Sequence, residues 1–228
     1  GDPSLSGRFT DGRLLAAFEE LAETLRAAGV RRIEGRLVGH EGAFAGDRRG
    51  SDWSWEDLVW SYGVEVSALN FNDNAVKLRL LPGERPGDPA LLEAEPWSSH
   101  FAVLSTATTG PPGTKTELTL AQPAPNQFRL TGLIAQGDRP WEGTVAVSDP
   151  ALYAARVFAS VLEAKGIRIM GAVATSSEPL PAGLRVLAAR ESPPLRDLLA
   201  VVNKESQNLH TEILLRLLGL RASGQGTV

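Results

Sequence analysis

The sequence predicts a mixed α/β (α+β) protein that carries a β-rich insertion. Two helix–glycine–strand units, near residues 13–38 and 149–169, flank a stretch at 82–147. That stretch is frequent in Pro and Gly, and short β-type runs replace helices within it. From Ser192 onward the pattern turns helical again. At 228 residues, with 43% hydrophobic and 22% charged side chains, the chain has the makings of one large or two small globular domains.

The first helix is read from Leu14, Leu15, Phe18, Leu21, Leu25 and Ala28 at helical spacing, with Glu19, Glu20 and Glu23 largely opposite. Thr10 or Asp11 is the expected cap and Gly29 the expected stop. Ile33, Gly35 and Leu37 alternate with Glu34 and Arg36, as a strand does. Residues 39–53, rich in Gly, Asp and Ser, read as a loop. A short helix is expected over 55–62, with Ser54 as its cap and Glu56 and Asp57 in the first turn. Residues 64–71, the turn Asn72-Asp73-Asn74 and the alternation around Val76, Leu78 and Leu80 suggest a β-hairpin.

The β-type runs of the insertion are 101–105, 116–120, 127–133 and 143–147. Asp149 is a suitable cap and Pro150 a suitable first residue for the next helix, striped by Tyr153, Val157, Val161 and Leu162. Gly166 ends it, and Ile167 and Ile169 begin a strand. Leu195, Leu198, Leu199 and Val202 mark one late helix. Ile213, Leu214, Leu217 and Leu218 mark another, expected to end near Gly219 before a polar tail.

Composition excludes several classes. With no cysteine, there are no disulfides and no thiolate metal sites. A net charge of -4 gives no electrostatic case for nucleic acid, and Arg31-Arg32 and Arg48-Arg49 read as solvated pairs. No apolar run approaches the roughly 20 residues of a transmembrane helix. The opening Gly1-Asp2-Pro3-Ser4 lacks a leader pattern, as would a chain that had lost one. His40, His100 and His210 show no metal-ligand spacing, so neither a metal nor another cofactor is expected. The run from Gly110 to Thr116 fails the phosphate-loop pattern because Thr114, not Gly, precedes Lys115; it reads as a turn. Trp53, Trp55 and Trp60 fit a helix packed on a sheet, or a saccharide platform.

Ser206 and Asn208 form a Ser-x-Asn triplet between the two late helices. On a continuous helix, residues i and i+2 face apart, so both reach one site only if the helix is interrupted there. Spacing alone leaves a second reading open, in which either residue merely caps the helix that begins near Leu209.

The ordered motifs resemble the D-alanyl-D-alanine carboxypeptidase/endopeptidase family, the class C low-molecular-weight penicillin-binding proteins (peptidase family S13). Gly1-Asp2-Pro3 opens the resemblance. Trp53-Ser54-Trp55-Glu56-Asp57-Leu58, Tyr62-Gly63, Ser67-Ala68-Leu69, Asn74, Leu81-Pro82-Gly83 and Leu130-Thr131-Gly132 continue it. Val147-Ser148-Asp149-Pro150, Tyr153-Ala154, Ser192-Pro193-Pro194-Leu195 and Asn203-Lys204-x-Ser206-x-Asn208-Leu209-x-x-Glu212 complete it. Gln207 stands where the family commonly has Asp, His210 and Thr211 occupy positions where other residues are usual, and His40 stands near a common Asp.

The resemblance implies a serine-type peptidase that cleaves peptidoglycan stem peptides through an acyl-enzyme. Ser206 would relay a proton between a catalytic lysine and the leaving D-Ala, and Asn208 would hold the substrate backbone. Asp57 would face the amino group of the stem peptide's third residue. The family's Ser-x-x-Lys and Lys-Thr-Gly motifs do not occur in this sequence. The expectation is therefore a fragment, inactive alone and cut at both ends, of an exported periplasmic or extracytoplasmic enzyme that β-lactams would acylate when intact. Its expected division is an accessory α/β domain at 1–81 returning at 148–190, an inserted β-rich domain at 82–147, and a helical piece of a β-lactamase/transpeptidase-like domain at 191–228. The rival expectation is a non-catalytic module that binds cell wall or protein.

Overall fold

A computed structural model describes residues 1–50 and 53–227. In chain order its first regular elements are α1 (Ala16–Ala27), β1 (Arg32–Ile33), β2 (Leu37–His40), β3 (Ala75–Leu81), β4 (Leu91–Glu95) and β5 (Ala102–Ser105). Then come β6 (Thr108–Gly110), β7 (Glu117–Ala124), β8 (Gln127–Ala135), β9 (Trp141–Ala146), α2 (Pro150–Ala164), β10 (Arg168–Ile169), β11 (Val173–Ser176), α3 (Leu195–Glu205) and α4 (Asn208–Ser223). The mixed α/β class expected from the sequence is the one observed.

The two helix–strand units meet by parallel pairing. Arg32 and Ile33 pair with Arg168 and Ile169, and Leu37 to His40 pair with Val173 to Ser176. Each helix stops at a left-handed glycine, Gly29 or Gly166, where a missing Cβ removes the steric cost of positive φ. The expected single strand at 33–37 is divided into β1 and β2 at Gly35.

The central sheet has the order β4-β3-β9, all antiparallel. A second sheet is built on β8. β5 and β6 run parallel to β8 along one edge in a single register, and β7 pairs antiparallel on the other edge. The Gly110–Thr116 stretch is the turn between β6 and β7, with Lys115 on Glu117 and the Thr116 hydroxyl on Asp138.

One apolar cluster joins helices to sheets. Phe18 of α1 stacks on Phe71 at 4.7 Å, and Phe71 meets Tyr153 of α2 at 5.7 Å. Leu78, Phe101, Phe128 and Val145 are among the other residues of its buried centre. A smaller cluster matters more for the site: Val64, Val66, Ala75 and Ala146 receive Leu209 and Ile213 of α4.

Several expected elements are corrected. The helix over 55–62 is two 3-10 turns, Trp55–Asp57 and Ser61–Gly63, and Ser54 makes no side-chain cap. The chain between them is drawn onto the edge of β9: Trp60 bridges Val145, and Ala146 N–H donates to the Val59 carbonyl. That pairing competes with helix formation.

Residues 64–71 are not a strand, and there is no hairpin through 72–74. The buried Asn74 side chain takes the ladder's place, accepting from Phe71 N–H at 3.2 Å and donating to the Glu65 carbonyl at 2.8 Å. Residues 72–74 are all left-handed, a conformation that Asn and Asp tolerate best among residues with a Cβ.

α1 begins at Ala16, and neither Thr10 nor Asp11 caps it; the Thr10 hydroxyl closes its own turn onto the Arg13 carbonyl. Asp149 precedes α2 with φ 55° and no side-chain cap, its N–H donating to Glu65. α4 passes through Gly219 and ends at Gly224. A Cβ on Gly219 would stand 2.5 Å from the Thr227 carbonyl oxygen, so the glycine admits the returning tail. The buried face of α4 also differs: it carries Leu209, His210, Ile213 and Arg216, while Leu218 is exposed.

Phe71 is fully buried between both helices. Phe71→Ala should cost about 3–5 kcal/mol in urea unfolding at an unchanged m-value. A loss under about 1 kcal/mol would mean that this aromatic contact does not bind the layers together.

Candidate active site at the α3–α4 junction

α3 ends at Glu205 because Ser206 turns left-handed, φ 53° and ψ 53°. Gln207 is extended, and α4 starts at Asn208. In an unbroken helix the Ser206 and Asn208 side chains would point roughly 200° apart. The break lets both line one cavity of about 460 Å³, together with Arg8, Ser61, Tyr62, Asp73 and Lys77.

Neither residue caps a helix through its side chain. The Asn208 amide donates across to the Tyr62 carbonyl at 3.1 Å, and the Ser206 hydroxyl has no partner among the described residues. Both residues are exposed, as a group that meets a ligand has to be.

An ionic network fixes this junction. Arg8 Nε donates to Asp73 Oδ2 at 2.6 Å, and Arg8 Nη1 pairs with Glu205, the last residue of α3. The other Asp73 oxygen meets His210 Nε2 at 2.9 Å. An ionised carboxylate only accepts, so Nε2 carries the proton. His210 is 1% exposed and its ring lies 6.0 Å from Phe9. Burial pushes the Asp73 carboxyl up, but the hydrogen bonds and charges of His210 and Arg8 outweigh it, leaving the group below its ordinary value.

Sequence reasoning missed this network, since Arg8, Asp73 and His210 lie far apart in the chain. The one available signal was a histidine beside Leu209 and ahead of Ile213, in register with the apolar residues of the last helix.

Asp57 does not join this cavity. It is half-buried at the end of the turn Trp55–Asp57, and its carbonyl accepts the Trp60 N–H at 3.0 Å. Nor do the three nearby tryptophans make one platform. Trp53 packs on the smaller cluster, Trp60 pairs along β9, and Trp55 is 87% exposed. The three histidines go to separate partners: His40 to the Glu178 carbonyl, His100 to the Ser148 carbonyl and Asn126, and His210 to Asp73.

The chain belongs to the D-Ala-D-Ala carboxypeptidase 3 (S13) family, whose model matches residues 1–228. It is 28% identical over 235 residues to a D-alanyl-D-alanine carboxypeptidase of an Actinomadura species, covering 100% of this chain and 42% of that protein. It is 27% identical over 222 residues to the D-alanyl-D-alanine carboxypeptidase DacB of Haemophilus influenzae, covering 95% of this chain and 43% of that one.

The crystal structure of penicillin binding protein 4 (dacB) from Haemophilus influenzae shares the fold, with a TM-score of 0.79 at 23% identity over 93% of this chain and 47% of that one. A structure of that protein complexed with a novel β-lactam matches with a TM-score of 0.67. The chain thus spans less than half the length of the relatives it matches.

The Asp73 contacts set an acid-sensitive contribution to stability. A carboxyl whose folded pKa is depressed stabilises fully above its unfolded value near 4, and the contribution is lost as pH falls through the folded value. Asp73→Asn should cost about 1.5–3 kcal/mol at pH 7 and show a shallower loss of stability below about pH 4. Parallel acid limbs for both proteins in urea unfolding would refute the role given to Asp73.

Proposed function

We propose that this chain is the accessory region and the Ser-x-Asn element of a serine D,D-carboxypeptidase/endopeptidase acting on peptidoglycan stem peptides outside the cytoplasm. The observation that carries the reading is the break at Ser206, which directs Ser206 and Asn208 into one cavity while neither side chain is spent on a helix cap. Family membership supplies the reaction class.

In this reading the nucleophile belongs to a Ser-x-x-Lys motif elsewhere in the polypeptide. Its hydroxyl proton passes to the motif's lysine as its oxygen attacks the penultimate D-Ala carbonyl, the peptide C–N bond breaks, and an ester remains on the enzyme. The departing D-Ala nitrogen needs a proton. The Ser206 hydroxyl donates it and is reprotonated by the motif's lysine, so no charge is left on the serine. Asn208 spends one amide hydrogen on Tyr62; its other hydrogen and its carbonyl oxygen are left to hold the substrate's backbone. Water then cleaves the ester and regenerates the enzyme.

β-Lactams would acylate the same nucleophile in the intact enzyme. Residues 82–147 would form an insertion between 1–81 and 148–190 that shares the sheet of β3 through β4 and β9, and 191–228 would belong to the transpeptidase-like domain. Asp57, on the turn that leads to Tyr62, would be an outer acid for the amino group of the third stem residue.

The test is made in the polypeptide that carries all three motifs. Ser206→Ala should lower turnover of D-Ala-D-Ala peptides by about 10²–10⁴-fold, with folding stability changed by less than about 0.5 kcal/mol. The 228-residue chain alone should take no covalent label from a fluorescent penicillin. Unchanged turnover in Ser206→Ala, or labelling of the isolated chain, would sink this reading.

A further inference from the structure

A second cavity, of about 620 Å³, adjoins the first and shares Gly12, Leu14 and Glu95 with it. Its floor is apolar: Leu14 and Leu15 ahead of α1, and Val157, Val161 and Ala164 along α2. Its opposite wall is Pro96 and Trp97, just after β4.

Trp97 is 71% exposed, against an almost fully buried Phe101 that meets it edge-on at 5.7 Å. An indole that exposed has a face free for a ligand, and exposing it costs the transfer free energy that burial would have gained. Charged groups ring the trough. Arg13 and Glu95 are exposed at its mouth, whereas Lys165 is already bound to Glu23 at 2.7 Å.

A pyranose ring has the matching chemistry. Its C–H face is apolar and lies flat on an indole, while its hydroxyls point outward around the ring, where a carboxylate accepts and a guanidinium donates. An aliphatic side chain would fill the floor and leave both Glu95 and Arg13 without a role.

We propose that this trough is a glycan subsite: Trp97 stacks on the N-acetylhexosamine that bears the stem peptide, with Glu95 and Arg13 taking its acetamido and free hydroxyl groups. For its substrate class the assignment rests on the function proposed above. The junction of the two cavities gives the order of binding, with the peptide terminus at Ser206 and the sugar end beyond Glu95.

The experiment is calorimetric titration of the 228-residue chain with three ligands: a disaccharide-pentapeptide of peptidoglycan, the same pentapeptide without sugars, and the disaccharide alone. The sugar-bearing peptide should bind about tenfold more tightly than the bare one. Trp97→Ala should remove that difference and leave the bare peptide unchanged, Trp97→Phe should keep part of it, and Trp55→Ala, at another exposed indole, should keep all of it.

Equal affinity for the two peptides, or a gain that survives Trp97→Ala, would overturn the proposal. So would Trp97→Ala lowering the thermal midpoint of the longer polypeptide without touching sugar binding, which would make the trough an internal contact. If the peptide reading alone is wrong, the bare pentapeptide fails to bind while the disaccharide still binds in a Trp97-dependent way.

Discussion

Through its two oxygens the Asp73 carboxylate ties the turn at Gly7–Phe9 to α4, and Arg8 extends the tie to the last residue of α3. Three stretches remote in sequence, 7–9, 72–74 and 205–210, are thereby gathered around the Ser206 break. The arrangement has a cost, because Asp73 is largely removed from water and sits at φ 54° in a left-handed run. Only a paired carboxylate is tolerable there, and both of its oxygens are paired. What the network secures is direction: a helix break of this kind, held by nothing, would let α3 and α4 reorient and separate Ser206 from Asn208.

The remainder of the molecule supports that point from below. α4 is seated by Leu209 and Ile213 in a cluster whose other members come from 64–66, β3 and β9. Buried Arg216 adds a polar tether, donating to the carbonyls of Ala45 and Asp47. β3 is the central strand of its sheet and leads directly out of the 72–74 turn, so the position of Asp73 is inherited from the sheet's register. Arg190 anchors the extended stretch before α3 to Ser4 and Asp2, closing the N-terminal segment against the same end of the fold. The sugar trough lies on the far side of Gly12 and Leu14, so both proposed subsites depend on this segment.

Periodic features were legible in the sequence and conditional ones were not. Phe18, Val157 and Val161 announced two helices, and Gly29 and Gly166 their ends, because helical periodicity and left-handed glycines depend only on local chemistry. The hairpin expected over 64–80 does not form because alternation at Val64 and Val66 reports burial, not pairing. The pairing was decided by Asn74, whose side chain satisfies both Phe71 and Glu65. The helix over 55–62 lost to the edge of β9, a competitor 85 residues from Trp60 at Val145. At the site, the Ser206–Asn208 interruption was legible from composition, whereas Arg8, Asp73 and His210 were not. Ion pairs between distant residues leave no periodic trace in a single sequence.

The Arg8–Asp73–His210 network holds the break between α3 and α4. Native-state hydrogen exchange of the Gln207 and Thr211 amides, which donate to the Val202 and Gln207 carbonyls, measures this directly. In Arg8→Ala, exchange at these amides should accelerate about three- to fivefold, while amides in the middle of α2 keep their wild-type rates. Unchanged exchange at both positions would contradict the account, and would mean that packing of Leu209 and Ile213 alone holds the break.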